Sequence, residues 1–146
     1  MPGSSPIADE FLAALEQQGG EIDRLAGDAW QGGVVCCRVA GLGVVMVTAT
    51  DMSPGQWSLA ATDVQRVQQL AGERHEPCWF VFLIVRRDGR GANGYVVTDF
   101  DSPPVKRPFE LNDDGYHIRE KRNFDSLRLL LSTEKVADVL LRNKQA

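Results

Sequence analysis

Between residues 33 and 86 the apolar positions follow two rhythms. Val34-Val35-Cys36-Cys37-Arg38-Val39 and Val44-Val45-Met46-Val47-Thr48-Ala49-Thr50 are nearly unbroken apolar and β-branched runs. Gly41-Leu42-Gly43 between them can supply the positive φ of a tight turn, so the pair predicts a β-hairpin. After a Pro54-Gly55 loop, Leu59 to Gly72 switches to helical spacing, with Val64, Val67, Gln68 and Leu70-Ala71 on one face and Asp63, Gln65, Arg66 and Gln69 on the solvated one. Cys78 to Val85 (CWFVFLIV) is then a continuous apolar run, the pattern of a strand covered on both faces. A hairpin, a crossing helix and a buried strand together predict an α/β sheet core.

The flanks extend that core. From Pro6, the spacing of Ile7, Phe11, Leu12 and Leu15 predicts an amphipathic helix that Gly19-Gly20 stops, with Asp9 and Glu10 in the first turn. Glu21 to Gly27 is a candidate short first strand, and Asp28 to Gly33 a loop. Arg86 to Gly94 reads as a basic turn, and Tyr95 to Phe100 (YVVTDF) as the strand that pairs back on the buried one. Pro103-Pro104 and Pro108 predict extended chain, and Asn112-Asp113-Asp114-Gly115 a turn. Tyr116 to Arg122 (YHIREKR) alternates as a sheet-edge strand does. Asn123 or Asp125 is placed to cap a short helix through Phe124, Leu127, Leu130 and Leu131, and Ser132-Thr133 to cap the last helix through Val136 to Leu141. The expected organisation is a flexible lead over residues 1–5 and one α/β domain over 6–146, a mixed β-sheet with flanking helices.

Composition narrows the function. The chain has 146 residues, 43% of them hydrophobic, enough for a core without cross-links. Three cysteines, two of them adjacent and therefore pointing to opposite faces of a strand, do not form a disulfide framework; the expected setting is reducing and cytoplasmic. Apolar runs fall short of the roughly 20 residues that span a bilayer, and no basic-then-apolar leader precedes them, so no membrane association is expected. Net charge is −4, split as −6 over residues 1–83 and +2 over 84–146. The balance argues against a strong non-specific polyanion binder, yet leaves a local basic surface in the second half.

Thr48-Ala49-Thr50-Asp51 at the end of the second hairpin strand, Trp57-Ser58-Leu59 ahead of the helix, Thr62-Asp63 near its start and Trp79 to Val85 beyond it resemble the core of the PD-(D/E)XK nuclease superfamily. The likeness is greatest to domains of the NO VEIN C-terminal type. It implies a restriction-endonuclease-like core, in which an acid on one strand and a Glu-x-Lys or Asp-x-Lys triplet on the next hold a divalent ion and position the attacking water. Mg²⁺ asks for carboxylate oxygens, and a cation beside the nucleophile stabilises charge on the phosphate. Where the resemblance places the acid stand Val34 and Val35, and where it places the triplet stand Met46, Val47 and Thr48. A thioether and a hydroxyl replace neither an anionic ligand nor an ammonium. The resemblance therefore implies a nuclease fold without its catalytic residues, and without a metal or cofactor.

Asp99 and Asp101, with Lys106 beyond them, form either a displaced metal site or ordinary turn acids, and Asp113-Asp114 falls within a turn signal. His117 would share a strand face with Arg119 and Lys121, as a phosphate-binding row or as an edge defended by charge; His75 lies in a polar connection. Cys36, Cys37 and Cys78 lack zinc-motif spacing and read as buried thiols. Gly41, Gly43, Gly89, Gly91 and Gly94 lack the context of a phosphate loop. Among Trp30, Trp57 and Trp79, only Trp57 is placed as a loop contact residue that could stack on a base.

Three functions remain open from these readings. The first is a catalytically degenerate nuclease-fold module that binds nucleic acid or a protein partner through Arg86, Arg87, Arg90, Lys106, Arg107, Arg119, Lys121, Arg122 and Trp57, with a defence-system component among the expected partners. The second is a metal-dependent nuclease with relocated carboxylates, Asp99, Asp101 and Glu110 being the suspects. The third is a protein-only inhibitor or immunity protein whose acidic first half meets a basic target.

Overall fold

The computed structural model describes residues 6–25, 34–51, 55–89, 91–98, 104–113 and 115–144. Its centre is the expected hairpin. Strand β2 (Val35–Val39) pairs antiparallel with β3 (Gly43–Asp51), and Gly43 sits at a φ of 129° where a Cβ would lie 2.4 Å from the Pro77 carbonyl oxygen. Helix α2 (Ala61–Glu73) crosses over to β5 (Cys78–Val85), which runs parallel to β3 along its whole length. Strand β6 (Ala92–Val97) returns antiparallel to β5, and the short β1 (Ile22–Arg24) pairs on the outer side of β2. The result is a mixed five-stranded sheet in the order β1-β2-β3-β5-β6. Strand β6 begins three residues earlier than expected, because Arg86 N donates to the Gly91 oxygen at 3.0 Å and closes the turn before Ala92.

The alternation along β5 divides the interior. Val81 and Leu83 pack with Val35, Cys37, Val39, Val45 and Val47 beneath α1 (Pro6–Gln17) and α4 (Thr133–Leu141). Phe80, Phe82 and Ile84 pack with Cys36, Val44 and Met46 beneath α2 and a second layer of chain. Both faces of β2, β3 and β5 are thus dry, which is why their sequences are apolar throughout rather than alternating. Cys36 and Cys37 go to opposite clusters, as adjacent strand residues must. Helix α4 is capped by Ser132, whose Oγ accepts from Lys135 N at 3.0 Å, and Thr133 Oγ1 accepts from Ala92 N at 2.6 Å, tying the helix start to β6.

The second layer is where sequence and structure part. Gln56–Leu59 is not loop and helix start but a strand, β4. It pairs antiparallel with β8 (Gly115–Arg119), which in turn pairs with β7 (Glu110–Asn112), making a three-stranded sheet in the order β4-β8-β7. The segment expected at a sheet edge is therefore central, and it ends at Arg119; Glu120–Asn123 form a helical turn, α3. The expected short helix through Leu131 is replaced by a bridge at Phe124, a 3₁₀ turn over Ser126–Arg128 in which Asp125 Oδ1 accepts from Leu127 N, and a bridge from Leu130 to Gly94. Asp63, expected in solvent, is 1% exposed in the first turn of α2.

Candidate nucleic-acid interface

Four residues of alternating pattern, Gln56-Trp57-Ser58-Leu59, explain the small sheet. Trp57 and Leu59 face the core opposite Ile118 and Tyr116, whereas Gln56 and Ser58 pair outward with Arg119 and His117. Trp57, expected as an exposed contact residue, is 2% exposed and its Nε1 donates to the Leu83 carbonyl at 3.0 Å. Its ring meets Phe82 and Phe124 edge-on, with centroids 5.4 and 5.6 Å away. No base can stack on it in this fold. The alternation places it on the covered face of a strand, and a Pro-Gly loop before it hid that strand.

Phe124 joins the aromatic cluster to the surface. The Tyr95 ring stacks on it at 4.3 Å with planes 8° apart, and the Tyr95 hydroxyl donates to Glu120 Oε2 at 2.7 Å. Burial, then the hydrogen bond to Glu120, pushes the Tyr95 phenol well above its ordinary range, so it stays a neutral donor that fixes Glu120 at the start of α3. One turn on, Asn123 is 1% exposed, and all of its amide is used. Oδ1 accepts from Arg119 N at 2.9 Å, and Nδ2 donates to the carbonyls of Arg107 and Pro108 at 3.2 and 3.0 Å. Its own carbonyl accepts from Lys106 N at 2.8 Å. Asn123 therefore clamps the proline-flanked segment 105–108 against the end of β8.

That clamp decides which basic residues meet. Lys106, Arg107, Arg119, Lys121 and Arg122 line a groove of about 360 Å³. Arg119 and Arg122 also line an adjoining pocket of about 190 Å³ with Gln56, Asn112, His117 and Glu110. Arg122 and Glu110 form an ion pair at 2.8 Å with both side chains about half exposed. His117 and Arg119 thus share a face, as the alternation predicts, whereas Lys121 reaches the groove from α3 rather than from the strand. Arg86 and Arg87 sit on the turn between β5 and β6, Arg86 paired with Asp88 at 3.3 Å, and they are not among the residues lining either hollow. Arg90 lies outside the described residues, as do Asp99, Asp101, Asp114 and Trp30.

The hairpin offers the contrasting chemistry. Val34, Val35, Met46, Val47 and Thr48 are all buried, and among the described residues no group of three or more His, Cys, Asp or Glu side chains is placed to hold a metal ion. Glu110, one of the three suspects for a relocated site, is engaged with Arg122. Desolvation pushes the thiols up, Cys37 and Cys78 to about 12 and Cys36 further still, with Cys37, Cys78 and the nearby Asp63 adding to the shift at Cys36. These are packing residues, not nucleophiles. No helix among the described residues is long and apolar enough to cross a membrane.

Sequence reasoning found the basic residues but missed Asn123, Gln56 and the Tyr95–Glu120 link. A capping role for Asn123 was the nearest available signal, and its amide turned instead to chain 15 and 16 residues away. No protein-family model matches the chain, and no curated protein matches it in sequence. Among solved structures, the chain is similar to Hjc of Archaeoglobus fulgidus, a Holliday junction resolvase from an archaeal hyperthermophile. The two share 13% identity at a TM-score of 0.54, over 93% of this chain and 99% of that one. At that identity the likeness speaks to the fold alone, and what it shows is an α/β domain with a mixed five-stranded sheet and flanking helices, resembling the fold of Hjc.

Proposed function

We propose that this domain binds nucleic acid without cutting it, using the groove bounded by Lys106, Arg107, Arg119, Lys121 and Arg122. The observation that carries the reading is the convergence of five basic side chains on one hollow in a chain whose net charge is −4. Charge so concentrated against the overall balance is what a phosphate backbone selects, and its counterion release would supply the affinity. The groove is held by a rigid frame, since Asn123 and the Tyr95–Glu120 bond fix the two segments that carry it. Hjc, with the same fold, is described as a resolvase of Holliday junctions, which makes branched DNA a natural probe. Absence of turnover is supported by the apolar hairpin, where neither Met46 nor Thr48 supplies a metal ligand of the required kind.

The test is fluorescence anisotropy with labelled duplex, single-stranded and four-way-junction DNA, and the same for RNA, between about 50 and about 200 mM salt. Binding whose logarithm falls with log salt at a slope near −3 to −4 is expected if most of the five cations meet phosphates. Salt-independent or absent binding to every probe would refute the reading and leave a protein partner. Incubation of plasmid DNA and RNA with Mg²⁺ or Mn²⁺ addresses turnover directly: intact substrates are expected, and divalent-dependent cleavage would restore the nuclease alternative.

A further inference from the structure

Building on the nucleic-acid reading above, we infer that the preferred ligand is single-stranded, with its phosphates along the basic groove and an unpaired base in the adjoining polar pocket. The two hollows adjoin, since Arg119 and Arg122 line both, but their chemistry differs. Every residue that lines the groove is basic, and much of the wall is the aliphatic stems that carry the charges. The pocket adds the carboxamides of Gln56 and Asn112, the His117 ring and the Glu110 carboxylate.

A phosphate fits the first better than the second, where Glu110 already meets the Arg122 charge at 2.8 Å. A base edge belongs in the second. Carboxamides both donate and accept, and a carboxylate accepts from exocyclic amino groups such as cytosine N4, so the lining matches a mixed donor and acceptor edge. Glu110 already holds one nitrogen group here, the Arg122 guanidinium, in a half-exposed ion pair at 2.8 Å. Shape argues the same way. Reading an intact duplex calls for a helix or ribbon that protrudes into a major groove about 12 Å wide, whereas these side chains line a hollow. A base inside a stacked helix could reach it only by being turned out, at a cost of about a few kcal/mol that a single strand does not bear. Gln56, His117 and Glu110 also come from three paired strands, β4, β8 and β7, so the hollow is preformed.

The experiment compares labelled 12-nucleotide single strands of cytosine with a mixed-sequence duplex of equal length, at matched low salt, on the full chain. Single-strand binding about tenfold tighter than duplex is expected. Gln56→Ala and Asn112→Ala should each weaken single-strand binding about fivefold, the value of one lost hydrogen bond, with the salt slope unchanged and duplex binding unaffected. Lys121→Ala should instead lower the single-strand salt slope by about 0.7. Thermal melts of the two pocket variants, whose side chains are surface-facing, verify that they fold. Duplex binding equal to or tighter than single-strand binding overturns the inference, and so does single-strand binding indifferent to both pocket variants. If no nucleic acid binds at all, the fault lies in the underlying reading, and this inference falls with it.

Discussion

The β2–β3 hairpin and the β4–β8–β7 sheet are both antiparallel and end in opposite roles. The hairpin is covered on both faces, so Val45 and Val47 enter one cluster while Val44 and Met46 enter the other. In the small sheet only one face is covered. Trp57, Leu59 and Ile118 point inward, and Gln56, Ser58, His117 and Arg119 point out. The number of covered faces, rather than rank order in the fold, settles where charged chemistry can stand: a doubly covered strand excludes it unless each charge finds a partner.

The contrast can be broken or sharpened by substitution. The largest effect is expected from Trp57→Ala, which removes an indole from the aromatic cluster and strips the Leu83 carbonyl of its donor, costing about 3–5 kcal/mol in urea-induced unfolding. A variant that kept its stability and lost only nucleic-acid binding would return Trp57 to the surface role first expected of it. Next comes Asn123→Ala, which leaves three backbone groups without their amide partner and should cost about 2–3 kcal/mol while also weakening binding, since segment 105–108 loses its clamp. Arg119→Ala and Lys121→Ala, by contrast, should leave the unfolding free energy from urea titration within about 0.5 kcal/mol of the parent and still lower affinity at low salt. If stability and binding fell together in those two, the outward face would be structural after all.

The smallest effect concerns pH and an ion pair between β2 and the chain that follows α2. Arg38 meets Glu76 through two hydrogen bonds, Nε to Oε1 at 2.9 Å and Nη2 to Oε2 at 2.6 Å. The Arg38 hydrogen bond holds the Glu76 carboxyl below its usual range. Its contribution is therefore complete above the ordinary carboxylate pKa of about 4.3 and disappears as pH falls through the lower folded value. Glu76→Gln should slightly flatten the acid limb of a stability-versus-pH curve and leave neutral-pH binding unchanged. A steeper acid limb in the variant would contradict the sign.

Long runs were legible and long-range contacts were not. CWFVFLIV announces a doubly covered strand, and the spacing of Phe11, Leu12 and Leu15 announces α1, because burial of that extent imposes its period on the sequence. Strand β4 has only four residues of alternation, too few to stand out beside a Pro-Gly loop and a helix. YHIREKR was expected as strand through Arg122, yet the chain turns helical after Arg119, since Arg119 N is taken by the Asn123 side chain and Glu120 by Tyr95. The basic residues could be counted from the sequence. Which five would converge depended on contacts made by Asn123 with chain far from it, and no local pattern encodes those.

The Leu130–Gly94 bridge has a consequence for synthesis. Leu130 and Gly94 exchange two backbone hydrogen bonds of 2.9 Å, which blunts the outer rim of β6. A ribosome delivers that rim some 36 residues before it delivers its cover, counted from the positions of the two partners. Until the later segment emerges, a nascent polypeptide would display an open, apolar ribbon able to zip onto a neighbour, so the tail of this fold acts as its safeguard against clumping.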